Sequence, residues 1–586
     1  MIGPELRARV AGALLVVGAL APGASASAQE PPPAATDDFG ERVDVEVVNV
    51  DVVVNDRAGK RILDLGRDDF ELLVDGRSVG IEYFAAPRGA PASAVQEPPP
   101  TLGAATIPPL EEVEAPSTPT QLIFYIDQTA LENRARHETV EELREFLRSR
   151  PEGADRVTVA MFEQNLKVLL LPTTERDKVL SALDELERRP SLARLGSGER
   201  MQLEHEIRTY GQDVARFGGG FAITEAQRIE QEILQWAESQ IDRQRRSIVA
   251  LEQMVGALAA AEGRKAVVLA TAGIQANPGQ GVLAALDQQR GVATTTDANR
   301  APTLELLGIS LANDFERMIQ AAQNARVAFY TISPVVKPPG DNSAEFGSAG
   351  PNAYRPLPRD YGMMEAASSV ARLAGATGGT SLTLGTNLDR SLETVSADVD
   401  AVYSLGFSTG DAAGDEDHRI EVRARRAGLE VRHRESFKRR STADRAESAL
   451  QAAVTFGQAE NPLEISLKLG VGKSDGKKKG GQFVPVAVAM PLRYLSLVPA
   501  GAVRNGKVSV RLAIQDDRGR LLEAPAVSVP IAVPEGQMEK AMVSSWYHRA
   551  ELRLAPGPQR VAVVVLDEVS GVQSTTFAEI DIPAAK

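Results

Sequence analysis

The chain has 586 residues, 43% hydrophobic and 25% charged, with 65 Lys and Arg against 79 Asp and Glu for a net charge of −14. At roughly 100–200 residues per domain this length implies three or four domains, and the composition excludes a disordered or fibrous chain. The acidic balance argues against non-specific nucleic-acid binding, and the absence of cysteine excludes disulfides, thiolate metal sites and a lipid-modified N-terminal Cys.

The first residues, "MIGPELRARVAGALLVVGALAPGASASAQE", place Arg7 and Arg9 before an apolar run from Val10 to Ala21 and a small-residue site, Ala26-Ser27-Ala28. This is the three-part pattern of a secretory signal peptide over residues 1–28, cleaved after Ala28, and the apolar run is too short to span a bilayer. Because no later segment reads as a membrane helix, a secreted or periplasmic protein is expected. The lack of disulfides favours a bacterial one.

Residues 42–86 form a β segment. "VDVEVVNVDVVV" largely alternates valine with polar residues, the period of a half-buried strand, and "DFELLVDGRSVGIEYFA" predicts a hairpin around Asp75-Gly76. So short a segment cannot bury a core alone and should pair with strands from elsewhere. Residues 87–119 are Pro/Ala-rich and read as an extended linker.

Residues 120–400 alternate strands such as "LIFYI", "RKAVVLA" and "VAFYTI" with amphipathic helices, which predicts a mainly parallel, doubly wound sheet with helices on both faces. Ligands of such sheets sit at the carboxyl ends of the strands, where Asp127 and Ala272 lie. Residues 191–246 are a helical insertion. Thr224-Glu225-Ala226-Gln227 reads as a capping box after the glycines at 218–220, opening a helix of about 38 residues and ~57 Å. The insertion either covers its own surface as a helical hairpin or projects as a partner-binding arm.

Residues 401–437 return to period-two alternation around Ala427-Gly428 and are expected to complete a β-sandwich with residues 42–86. Residues 438–459 are a charged helical connector. Residues 460–586 hold repeated short strands that suggest a second, C-terminal β-sandwich.

The valine-rich strand pair ending in "DFELLVDGRSV", the strand ending in Asp127, "GRKAVVLATAG", "VAFYTISP", "LAGATGG", "YSLGFS" and "GLEVRHRESF" together resemble the VWFA-related secreted proteins abundant in Acidobacteria. The resemblance covers roughly residues 43–437 and implies a von Willebrand factor A domain, a module that usually binds other proteins, often through a metal ion; the flanking β-sandwiches read from the strand alternation are expected to be Ig-like. The family's site is a D-x-S-x-S run plus a Thr and an Asp from later loops. Here Asp127 keeps the carboxylate and Thr129 a hydroxyl, Leu131 cannot ligate, and Thr271-Ala272-Gly273 replaces the usual T-D-G. A magnesium-like ion needs six oxygens, so Asp127 and Thr129 read as a vestigial, degenerate metal site, and no cofactor is expected. Asp127, Thr129 and Ala272 remain candidates for a metal-free partner-binding rim.

Other motifs carry less. Gly406-Phe407-Ser408-Thr409-Gly410 matches the nucleophile elbow G-x-S-x-G, but an acidic loop with Asp411, Asp415, Glu416 and Asp417 follows instead of a helix. "GVGKS" at 470–474 lacks the first glycine of a phosphate loop and reads as a hairpin turn, and Lys477 to Lys479 read as a solvated turn. The sequence therefore points to an exported, non-enzymatic protein-binding protein with an unidentified protein partner, no nucleic acid and no membrane span. The alternatives are a metal-dependent adhesin with a reduced site, a cell-envelope scaffold or assembly protein, and a serine hydrolase using Ser408.

Overall fold

The computed structural model describes residues 47–87, 120–217, 222–290, 307–308, 310–334, 361–384, 388–408, 416–474 and 481–583. The signal-peptide pattern, nearly all of the linker, the glycines at 218–220, Thr409 to Asp415 and Lys477 to Lys479 lie outside the described residues.

The first segment gives strands β1 (Val47–Asp56), β2 (Phe70–Val74), β3 (Arg77–Val79) and β4 (Tyr83–Ala85). Asp75 and Gly76 turn between β2 and β3 with φ of 51° and 77°, the paired left-handed conformation that two-residue hairpins need.

The α/β region follows as β5 (Thr120–Asp127), α1 (Asn133–Ser149), β6 (Asp155–Phe162), β7 (Leu166–Thr173), α2 (Arg176–Arg188), α3 (Arg194–Phe217), α4 (Ala222–Leu258), β8 (Lys265–Ala270), α5 (Gln280–Gln289), α6 (Ala312–Asn324), β9 (Val327–Ser333), α7 (Tyr361–Ala376), β10 (Ser381–Thr383) and α8 (Leu388–Asp400). Its sheet runs β10-β9-β8-β5-β6-β7, parallel except for the edge strand β7. This is the doubly wound sheet that the alternation predicts. Strand β5 is buried throughout, and its side chains divide by period two between two cores. Ile123 and Tyr125 join α4 to α7 on one face, whereas Leu122, Phe124 and Ile126 join α1, α2 and α8 on the other.

The insertion folds back as a helical hairpin. Leu203, Ile207 and Tyr210 of α3 share one core with Ile229, Ile233, Ala237 and Ile241 of α4, so the hairpin buries its own apolar stripe. Thr224 does not cap α4, which begins at Ala222. It sits in the first turn, where a threonine hydroxyl is no longer at the entry of the helix.

The chain then adds β11 (Tyr403–Ser408), β12 (Asp417–Ala424), β13 (Leu429–Arg432) and β14 (Ser436–Lys438). These pair with the first segment in two antiparallel sheets, β13-β1-β11-β4 and β14-β12-β2-β3. Val50, Val52 and Val54 meet Tyr403, Leu405 and Phe407 from one sheet and Phe70, Leu72, Ile420 and Val422 from the other in a single core. The Tyr403 hydroxyl pins the loop after β1, donating to the Ile62 carbonyl (2.9 Å) and accepting from Leu65 N–H (3.1 Å).

Helix α9 (Thr442–Phe456) starts at a capping box of Ser441 and Asp444 and stops at Gly457, which is left-handed. Beyond it come β15 (Ser466–Leu469), β16 (Lys473–Ser474), β17 (Gln482–Pro491), β18 (Val498–Ala500), β19 (Val503–Asp516), β20 (Leu521–Glu523), β21 (Val527–Pro534), α10 (Met538–Met542), β22 (Ser545–Leu554), β23 (Gly557–Asp567) and β24 (Gln573–Ile582). Two sheets centred on β17 and β19 enclose one core that includes Val486, Val488, Val510, Leu512, Val563 and Trp546. The outer face of β19 and β23 packs on Leu450, Ala453 and Val454 of α9. The stretch "GVGKS" is not a hairpin turn. Both β15 and β16 pair with β17, and Gly470 N–H donates to the Pro485 carbonyl (2.8 Å), so the glycines interrupt one edge strand without reversing it.

Candidate functional site

Asp127 is the last residue of β5, at the carboxyl end of the parallel sheet. The chain leaves the strand through an Asx-type turn. Thr129 donates to Asp127 Oδ1 from its N–H (2.9 Å) and from its Oγ1 (2.6 Å), while Ala130 and Leu131 N–H groups reach the Asp127 carbonyl (3.3 and 3.2 Å). The other carboxylate oxygen, Oδ2, accepts from Ser247 Oγ of α4 (3.2 Å). Both oxygens are thus met by hydroxyl donors.

Burial pushes the Asp127 carboxyl above its ordinary value, and the bonds from Thr129 and Ser247 pull it part of the way back. Tyr125, two residues upstream on the same side of the strand, is raised well above its usual value by burial and then by the Asp127 charge.

The later loop is clamped from above. Thr271 is buried, and its Oγ1 accepts from Gly273 N–H (3.2 Å). Gly273 has φ of 100°, and a Cβ there would lie 2.1 Å from the Ala366 carbonyl oxygen, so α7 packs directly on the loop. Gln244 of α4 accepts from Gln275 N–H (2.7 Å), and Glu365 of α7 accepts from Asn277 N–H (3.0 Å). Burial raises the Glu365 carboxyl. The other side of the β5 turn is held by Arg136, whose Nη1 donates to Gln128 Oε1 (2.8 Å) and to the Arg189 carbonyl (2.5 Å).

The sequence-predicted residues therefore divide. Asp127 and Thr129 come together as expected for neighbours on one turn, but the rim is not open at Asp127, which is only 5% exposed because α4 lies over it. Ala272 is half-buried in the clamped loop and offers neither hydroxyl nor carboxylate. Leu131, where the resemblance led to the expectation of a third ligand, is fully buried in the apolar core beside α1. Ser247, Gln244 and Arg136 were not legible as site residues; their signal lies in how α4 and α1 pack around the β5 turn, not in any motif.

A divalent cation does not fit this donor set. The Asp127 carboxylate already accepts three hydrogen bonds, and among the described residues it belongs to no cluster of three or more His, Asp or Glu ligand atoms. Three such ligand atoms do converge at His137, Glu141 and Glu187, where Glu187 is engaged by His137 and by Arg144 (2.8 Å) in a surface ion-pair network.

Ser408 Oγ donates to Glu82 Oε2 (2.5 Å), whereas His418 Nδ1 bonds Asp75 (2.8 Å) and its ring stacks on Phe437. The serine and histidine thus have separate partners.

No family model matches the chain, and no curated protein matches it. Among solved structures, it is similar to BatB from Bacteroides thetaiotaomicron, with 10% identity over 48% of this chain and 97% of that one at a TM-score of 0.21. It is also similar to manganese-loaded TRAP from Plasmodium vivax, with 8% identity over 55% and 95% at 0.19. A third is proximal thread matrix protein 1 from the mussel byssus, with 10% identity over 50% and 49% at 0.22. Scores at this level carry no argument about the present site.

Proposed function

We propose that the chain is an exported, non-enzymatic protein-binding protein whose von Willebrand A-like domain works without a metal ion. The observation that carries this reading is the Asp127 carboxylate, buried and bonded by Thr129 and Ser247 where a metal-dependent domain would leave oxygens free to coordinate. The separate partners of Ser408 and His418 support the non-enzymatic half of the reading. Under the same proposal, the flanking two-sheet units are Ig-like sandwiches that present the α/β domain outside the cytoplasm.

The test is capture of partners from a cell-envelope extract on the immobilised full chain, with and without EDTA. The expected result is one partner set that survives chelator. Partners lost in EDTA and lost again in Asp127→Ala indicate the metal-dependent adhesin instead.

A second reading, an envelope scaffold or assembly protein, is favoured by Met542, Val543 and Tyr547, which are 40%, 85% and 58% exposed beside α10 and β22. Loss of every captured partner in Val543→Asp, with the α/β domain unchanged, selects it.

A further inference from the structure

A second polar centre lies at the opposite, amino end of the parallel sheet, where it meets the β1–β11 sheet. A cavity of about 60 Å³ there is lined by Asp51 of β1, Arg264 and Lys265 at the start of β8, Arg326 just before β9, and Arg434 between β13 and β14. Room for one water corresponds to roughly 10–15 Å³, so the space admits about four to six water-sized groups.

The charges around it do not balance. Asp398 also lines the cavity but is taken by Arg61 and by Arg432 (2.7 Å). Asp51 is then the carboxylate left for the others, and its Oδ2 accepts from Arg326 Nη2 (3.2 Å). Arg434 and Lys265 are 8% and 7% exposed, and their recorded bonds go to neutral carbonyls. Arg434 reaches Gln323 O (2.7 Å) and Asn49 O (2.9 Å), and Lys265 reaches Ala325 O (3.1 Å).

Asp51 faces Arg326, Arg434 and Lys265 together, and buried cations in excess of their counter-charges are costly. Burial, reinforced by Arg326, lowers Arg434 to about 9, so it still carries its charge at neutral pH. Water in the cavity would solvate these groups but not neutralise them.

The unmet hydrogen-bonding groups are more specific than the charge. Among the described residues, Arg434 Nε and Arg326 Nε are buried donors without an acceptor, and Asp51 Oδ1 is a buried acceptor without a donor. Lys265 Nζ, in the protonated form that a bound anion would favour, has three protons and bonds one carbonyl. An anion with several acceptor oxygens suits the cationic side chains that line the cavity, and one that also carries an O–H suits Asp51 beside them. Hydrogen phosphate has both at neutral pH; sulfate has the oxygens and no proton.

We propose that this cavity is a binding site for a protonated tetrahedral oxyanion of the phosphate class, its oxygens accepting from Lys265, Arg326 and Arg434 and its hydroxyl donating to Asp51. Because Asp51 and Arg434 belong to the β-rich unit and Lys265 and Arg326 to the α/β unit, the bound anion ties the two together.

The experiment is calorimetric titration of the full chain, purified without phosphate or sulfate, with sodium phosphate and with sodium sulfate at constant ionic strength. Saturable binding of one phosphate per chain is expected, at least tenfold tighter than sulfate. Lys265→Met and Arg434→Lys should each weaken phosphate at least tenfold, and Asp51→Asn should bring sulfate level with phosphate. Should one variant fail to unfold cooperatively, the other locates the site. A folded parent that shows no saturable phosphate binding overturns the proposal, as does undiminished binding in the folded cavity variants. Equal affinity of the parent for sulfate and phosphate overturns the role of Asp51.

Discussion

Replacing Lys265 with methionine isolates the cost of burying one ammonium group. The side chain is 7% exposed, and burial, then Arg326 and Arg440, lower it from the ordinary 10.5 to about 7, with Asp51 opposing. Between those limits the unfolded chain holds a proton that the folded chain lacks, so stability rises with pH across that window. Below about 7 both states are protonated, and the fold bears the full cost of the buried charge. By linkage the rise amounts to about 3 kcal/mol between pH ~6 and ~9.5. Lys265→Met keeps the apolar stem and removes the titration, so its profile lacks this component. Thermal unfolding of parent and variant in phosphate-free buffer gives the comparison, because other groups cancel. The difference between their midpoints should change by about 6–10 °C over the range, with the variant ahead at low pH. Parallel profiles would refute the buried-ammonium account.

Ser247→Ala should cost about 1–3 kcal/mol in chemical unfolding, because Asp127 Oδ2 loses its donor. The raised Asp127 carboxyl protonates more readily in the fold than in the unfolded chain, so that deficit should shrink as pH falls. Gly273→Ala should lower the thermal midpoint by an amount equivalent to about 2–4 kcal/mol, since φ of 100° and the Ala366 carbonyl both oppose a Cβ; an unchanged midpoint contradicts the packing described. Deleting residues 191–246 removes α3 and the part of α4 bearing Ile229, Ile233 and Ile241, which should leave aggregated protein on size-exclusion chromatography. A soluble monomer from that deletion would show the hairpin to be a detachable arm.

Local signals were the legible ones. The uniformly apolar β5, the Asp75-Gly76 turn and the valine alternation of β1 each follow from spacing within a few residues, and so does the mismatch of Leu131 and Ala272 with a metal site. Thr224 misled because a capping-box pattern can also occur inside a first turn. "GVGKS" misled because glycine marks an interrupted strand as readily as a reversal. The closure of Asp127 was not legible at all: Ser247 lies 120 positions later, on a helix whose periodicity announces burial but not what it covers. The same holds for the cationic cavity. Asp51, Lys265, Arg326 and Arg434 share no motif, and only the docking of the β-rich unit on the amino end of the sheet gathers them.

The central claim is that Asp127 is satisfied by hydroxyls and leaves no place for a cation. Thermal unfolding of the full chain in Mg²⁺ or Mn²⁺ against EDTA, with Asp127→Ala beside it, tests this most directly. Ion at 100 times its dissociation constant would add about 2.7 kcal/mol, a midpoint shift of roughly 5–10 °C for a domain of this size. The account predicts the same midpoint with ion and with chelator. A shift of that size that disappears in Asp127→Ala would contradict it and restore a metal-dependent site.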